Sequence, residues 1–205
     1  TEEERGGRPL RAQIGQRLDE AGRLVDGNAI GDPLMVANLQ LTLAATQRSL
    51  NQYEKARPLA EKAFRTREAE LGKDHLETLA AAQAVGLALE SLGESAEAIS
   101  LFERVLAKRK SSLGVKHVNT MDAHRLLAGT FGSAGQRKKG LDLQNDAYRK
   151  IQQLQGPSHP QTIDCLNRLA KQTWAYSEDK ALAEKLFEDL WKRRIEQYGE
   201  THYKT

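Results

Sequence analysis

One motif, Gly-x-x-His-x-x-Thr, constrains this chain more than anything else in it. Leu71-Gly72, Leu113-Gly114 and Gln155-Gly156 stand 42 residues apart, and Tyr198-Gly199 follows 43 after the last. Three residues beyond each glycine comes a histidine (His75, His117, His159, His202), and three further on a threonine (Thr78, Thr120, Thr162, Thr205). A period of this length marks a repeat architecture, in which a unit cannot bury its own apolar face and must stack on its neighbours. Small residues keep the same interval, at Ala44, Gly86, Ala128 and Ala170 and again at Asn51, Gly93, Gly135 and Ser177. A further set, Ala56, Ala98, Gly140 and Ala183, gains one residue in its last step, which places an insertion between Ser177 and Ala183.

Inside a unit the apolar residues follow i, i+3, i+4 spacing. Leu79, Ala82, Val85, Gly86 and Leu89 form one such series, and Ile99, Phe102 and Leu106 the next. That period is helical. Composition agrees, with 28 Leu and 26 Ala against six Val, six Ile and five Pro, a bias towards unbranched helix formers. Each unit therefore reads as two helices. A glycine, Asn or Ser supplies a left-handed cap after the first, and Leu-Gly ends the second. Asp32-Pro33 and His159-Pro160 put proline at a first helical position, where its missing N–H costs nothing. The expected helices cover 10–26, 34–50, 53–71, 77–92, 95–113, 119–134, 137–155, 161–176 and 179–198. The expected layout is a lead-in at 1–9, an orphan second helix at 10–31, repeats at 32–73, 74–115, 116–157 and 158–199, and the start of a fifth at 200–205. Opening on Thr1 and closing on a half-begun unit, the sequence reads as a piece cut from something longer.

Other classes fall away on composition. Thirty-one basic residues against 28 acidic ones leave a formal charge of +3, too little for a polyelectrolyte binder. Basic clusters at Lys108-Arg109-Lys110, Arg137-Lys138-Lys139 and Lys192-Arg193-Arg194 are interspersed with acids and lack aromatic residues to stack on bases, so no nucleic-acid partner is expected. The uncharged run from Thr78 to Leu89 is too short to cross a bilayer, and no membrane insertion is expected. The single cysteine, Cys165, excludes a disulfide framework and fits a reducing compartment; the expected location is cytoplasmic. Histidines one repeat apart lie a helix-pair width apart and cannot converge on a metal; each reads as a helix-start residue that caps or packs. His124 has Ala128, not a ligand, at i+4, and Cys165 shares the position of Ala81 and Ala123; both read as packing residues. Gly129 to Lys139 lacks the spacing and the preceding strand of a phosphate-binding loop. With no nucleophile elbow and no kinase signature, the chain is not expected to be an enzyme or to carry a cofactor or metal.

Further residues bring a family into view. An alanine-like position opens each second helix, a bulky residue follows four later (Phe102, Phe187) and a small one seven later (Ala63, Ala147). Helix 161–176 holds Asn167-Arg168-Leu169-Ala170. The pattern resembles the tetratricopeptide repeat, in the 42-residue form with Leu-Gly-x-x-His-Pro-x-Thr between pairs that is similar to kinesin light chains and their bacterial relatives. The resemblance implies an all-α, right-handed superhelical solenoid of antiparallel helix pairs whose first helices line a concave face. Threading the family register gives inward positions Asn38, Leu41, Ala45 and Arg48, then Ala80, Gln83, Leu87 and Glu90. The third unit gives Asp122, Arg125, Gly129 and Gly132, and the fourth Asp164, Asn167, Lys171 and Trp174. The two glycines are expected to open a shallow pocket between Arg125 and Trp174. The function so implied is a protein–protein interaction module that holds a peptide or partner helix. The alternatives are a regulatory or scaffolding region of a larger signalling enzyme, such as a bacterial Ser/Thr protein kinase, and self-association through the severed ends.

Overall fold

The computed structural model describes residues 10–26 and 31–199; the expected lead-in, His202, Thr205 and the start of a fifth unit lie outside the described residues. Among those described, the chain forms nine helices and no strand. They are α1 (Leu10–Asp26), α2 (Pro33–Ser49), α3 (Tyr53–Leu71), α4 (Leu76–Ser91), α5 (Ser95–Leu113), α6 (Val118–Ser133), α7 (Arg137–Gln155), α8 (Pro160–Tyr176) and α9 (Lys180–Tyr198). Every boundary lies within one residue of the expectation.

The recurring motif is a joint between helix pairs. Gly72, Gly114 and Gly156 take φ of 88°, 79° and 86°, a region closed to most side chains. The chain then straightens at His75, His117 and His159, each the N-cap of the next helix. Their Nδ1 atoms accept the backbone N–H of Glu77, Asn119 and Gln161 at 3.3, 3.2 and 3.2 Å, satisfying one of the orphan donors that every helix start leaves. Thr78 and Thr120, both fully buried, donate Oγ1–H back to the carbonyls of Arg67 and Arg109 at 3.1 and 3.3 Å. Those same arginines, also buried, reach forward and donate Nη1–H to the carbonyls of Glu77 and Asn119, both at 2.9 Å. In the next joint Ile151 occupies the arginine's place, and Thr162 turns instead to the Gly156 carbonyl at 2.8 Å.

The shorter turns inside pairs use Asn51, Gly93 and Gly135 at φ 61°, 83° and 76°. Ser177, expected to do the same, does not: it is extended, at φ −88° and ψ 147°. A left-handed backbone is costly for a residue with a Cβ, and the inserted residue supplies another route. Ser177 Oγ accepts from the Asp179 N–H at 3.1 Å, and Asp179 Oδ1 accepts from the Leu182 N–H at 2.9 Å to cap α9.

Two compact units meet within α5, between Leu101 and Phe102. The N-terminal unit packs small side chains: Ala37, Ala44, Ala56, Ala60, Ala63, Ala81 and Ala82 are all buried, with Leu79, Val85 and Leu89 among them. On its surface the Arg57 guanidinium joins Glu61 and Glu94 at 2.7 Å each. The C-terminal unit is built from larger residues, with Met121, Tyr148, Ile151, Ile163, Cys165, Leu166, Leu169 and Leu190 in one cluster and Leu186 and Phe187 packed against it. Helices α6 and α7 are in tight contact at Gly140, where an added Cβ would lie 2.6 Å from the Ala128 carbonyl oxygen.

Candidate functional site

In the N-terminal unit the threaded positions fall on one face each of α2 and α4, and the structure brings three of them together. Ala45 and Arg48 of α2 and Leu87 of α4 line a hollow of about 60 Å³ with Ala44, Ala56, Ala84 and Ala88. The hollow exists because alanines stand where longer side chains would meet. Arg48 is exposed at its edge, and no ion pair holds it among the described residues. Gln83 and Glu90 are half-buried on α4, Leu41 is half-buried on α2, and Ala80 is exposed. Asn38 is spoken for: its Oδ1 accepts from the Nη2 of Arg67, so it braces the joint.

The C-terminal unit offers a different face. Arg125 is tied to Asp122 of its own helix, with Nη2 and Nε donating to Oδ1 at 2.7 and 3.1 Å. Gly129 is open, with nothing within 4 Å of where a Cβ would be. Gly132 is the opposite: it is buried, and a Cβ there would sit 2.5 Å from the Tyr176 ring. The ring of α8 thus fills the Gly132 end of the pocket expected between Arg125 and Trp174. On α8, Asp164, Asn167, Lys171 and Trp174 fall at successive steps of three, four and three and share a face. Lys171 and Asp164 are exposed and Asn167 is half-buried. Trp174 is 49% exposed. The Lys180 ammonium stands 5.4 Å from its ring centroid and donates to the Trp174 carbonyl, which holds the indole in place.

Threading missed one feature altogether. A cleft of about 360 Å³ opens among α7, α8 and α9, between Asp142, Asn145 and Arg149 on one wall and Leu182 and Leu186 on the other, over Leu169 and Thr173. The signal for it was the one-residue insertion, which changes how α9 follows α8.

His124 and Cys165 are core residues, 5% and 2% exposed. Burial pushes the imidazole down to about 4, helped by Lys110, and the thiol up to about 11. Among the described residues no helix is long and apolar enough to cross a membrane.

Residues 35–111 match the tetratricopeptide repeat family model. Among curated proteins none matches the sequence. Solved structures do match. A kinesin light chain-like protein of Podosopora anserina, with nearly identical TPR-like repeats, superposes with a TM-score of 0.77 at 19% identity, covering 92% of both chains. BtubC (BKLC) from P. vanneervenii gives 0.71 at 14% identity over 94% of this chain and 76% of its own. The MamA RS-1 ArsTM double mutant gives 0.58 at 18% identity over 93% and 96%. At such identities the likeness is one of fold. Residues 35–111 carry tetratricopeptide repeats, and the helix pairs of the chain have the fold of kinesin light chain-like repeat proteins.

Proposed function

We propose that this protein binds an extended peptide or a partner helix along the exposed face of its first helices. Tetratricopeptide repeats generally serve as protein–protein interaction modules, and the features of each unit fit that use. The observation that carries the reading is the hollow beside Arg48. A space of about 60 Å³ floored by alanine takes a small apolar side chain, and a guanidinium at its edge suits an adjacent carboxylate, which it can grip with two hydrogen bonds. In the C-terminal unit, Asn167 offers an amide to a peptide backbone, Lys171 a second cation, and Trp174 the kind of aromatic surface that dominates interfaces. Arg125 contributes less, because an incoming acid would first have to displace Asp122. The ligand this favours is an acidic peptide carrying small and aromatic-seeking apolar residues.

A random-peptide display library panned against the wild-type chain tests this directly. Enriched peptides are expected to be acidic. Measured by fluorescence anisotropy, the affinity of peptides that engage the N-terminal unit should fall by about tenfold or more in Arg48→Glu, and of those that engage the C-terminal unit in Trp174→Ala, a loss of about 1.4 kcal/mol or more. Affinity within about twofold of wild type in both variants, with helical circular dichroism unchanged, would sink the assignment.

A further inference from the structure

Two residues of the C-terminal unit depart from their repeat counterparts and border one space. Leu182, the third residue of α9, stands where the other second helices carry Lys55, Glu97 and Lys139. Thr173 of α8 stands where the earlier first helices carry Gln47, Leu89 and Phe131. An apolar side chain has thus replaced a charge at the rim, and a short one has replaced longer ones at the floor. Between them lies the cleft of about 360 Å³ among α7, α8 and α9, a volume in the range of ligand-holding pockets.

The two walls differ in kind. Leu182 is 47% exposed, and Leu186, one turn later on the same face, is half-buried beside it. Across from them α7 presents Asp142, Asn145 and Arg149 at steps of three and four, a stripe about 10 Å long. Asp142 and Arg149 are exposed, and among the described residues none of the three is engaged in a hydrogen bond or ion pair. Thr173, 3% exposed, donates its hydroxyl to the Leu169 carbonyl at 2.8 Å, which leaves methyl and leucine carbon at the floor. Leu169 stands two residues, about 200°, round the helix from both Asn167 and Lys171, so the cleft and those side chains occupy opposite sides of α8.

We propose that this cleft docks a short amphipathic helix of a partner protein, running antiparallel to α7. The occupant lays bulky aliphatic side chains against Leu182 and Leu186 and over Thr173, in the manner of a helix in a groove. Covering Leu182 removes from water an apolar surface that the sister helices avoid by carrying a charge there. The unpaired charges of α7 set the partner's form and direction. Asp142 attracts a base and Arg149 an acid, and a helix lying alongside matches their separation with an acid and a base seven residues apart on its own face. An extended strand would span the same stripe in about three residues. Within a helix an acid is favoured towards the N-terminus and a base towards the C-terminus. With its acid opposite Arg149 and its base opposite Asp142, the partner therefore runs against α7. This is a second surface, on the other side of α8 from Asn167 and Lys171.

The repeat itself supplies the controls. Thr173→Phe and Leu182→Lys install residues that α6 and α7 already carry at those positions, the first filling the floor and the second charging the rim, so both should fold. A display library of helical peptides randomised along one face is panned on the wild-type chain and counter-selected on Leu182→Lys. Enriched peptides should carry leucine-like residues between an acid and, seven positions later, a base. Measured by fluorescence anisotropy, their affinity should fall about tenfold or more in Thr173→Phe and in Arg149→Glu. Exchanging the peptide's acid and base should recover binding to the doubly reversed Asp142→Lys/Arg149→Glu chain. The proposal is overturned if no peptide distinguishes wild type from Leu182→Lys, or if the selected acid and base lie three apart, as in a strand. A wild-type chain that dimerises, and is returned to monomer by Leu182→Lys, overturns it too by giving the cleft to a second copy. Arg48 and Trp174 lie outside the cleft, so this outcome is read separately from peptide binding by the first helices.

Discussion

The same substitution, glycine to alanine, should have opposite effects at two positions of one helix pair. Alanine in a helix is favoured over glycine by about 1 kcal/mol, and at Gly129 nothing lies within 4 Å of the new methyl. Gly129→Ala should therefore stabilise by up to about 1 kcal/mol. At Gly140 the methyl would lie 2.6 Å from the Ala128 carbonyl oxygen, 3.4 Å from Phe131 Cβ and 3.5 Å from the Gly132 nitrogen. Two of those three atoms are backbone of α6, which cannot swing aside, so the cost belongs near the upper end of the roughly 1–3 kcal/mol typical of overpacking. Setting about 3 against a gain of about 1 leaves a net loss near 2 kcal/mol, and the two variants should differ by about 3. For a chain of this size that is a separation of about 6–12 °C in melting temperature. Thermal melts and urea titrations followed by circular dichroism at the helical minimum measure it. A Gly140→Ala protein that melts at or above wild type would refute the reading of α6 and α7 as touching through that glycine. Gly132→Ala is the informative intermediate. Its methyl meets only the far end of the half-buried Tyr176 side chain, so the ring can move and the stability should change little.

Removing a histidine cap by His75→Ala should cost about 1 kcal/mol, while His75→Asp should retain most of it, since Asp is a strong N-cap and Asp32 already fills that role for α2; a loss of the same size in both variants would show that the side-chain acceptor is not what matters. Acid should weaken the C-terminal unit through His124, which faces Lys110, Lys150 and Asp146. Its imidazole titrates near 6.5 unfolded and about 4 folded, so between those values the unfolded chain binds more protons. The stability it contributes is complete above about pH 6.5 and is lost as the pH falls towards 4, by roughly 3 kcal/mol in total. Urea midpoints measured across that window should show a slope in wild type that is absent from His124→Ala, and parallel curves would exclude this group as the cause.

The helices were legible almost to the residue because the repeat encodes local geometry. A left-handed glycine, a histidine acceptor and a threonine hydroxyl each act within a dozen residues of their partners, and that information is in the order of the chain. What failed was reading a position without its tertiary neighbour. Ser177 has the same place in the period as Gly93 and Gly135, yet a single extra residue downstream gave it another backbone. Gly132 looked like an opening, but Tyr176 from the next pair occupies the space. Arg48 and Leu87 line one hollow, and both lie on helix faces whose register the period fixes.

The additional residue between α8 and α9 also shows where such a chain can change length. A residue inserted within a helix turns everything after it by about 100°, which would swing Ala183 and Leu190, 0% and 5% exposed, out of the core. Placed in the turn at Ser177–Asp179, it leaves the phase of both helices untouched. The turns are expansion joints: peptide tags, reporter loops or evolutionary insertions belong there, and the helices between them behave as fixed-length parts.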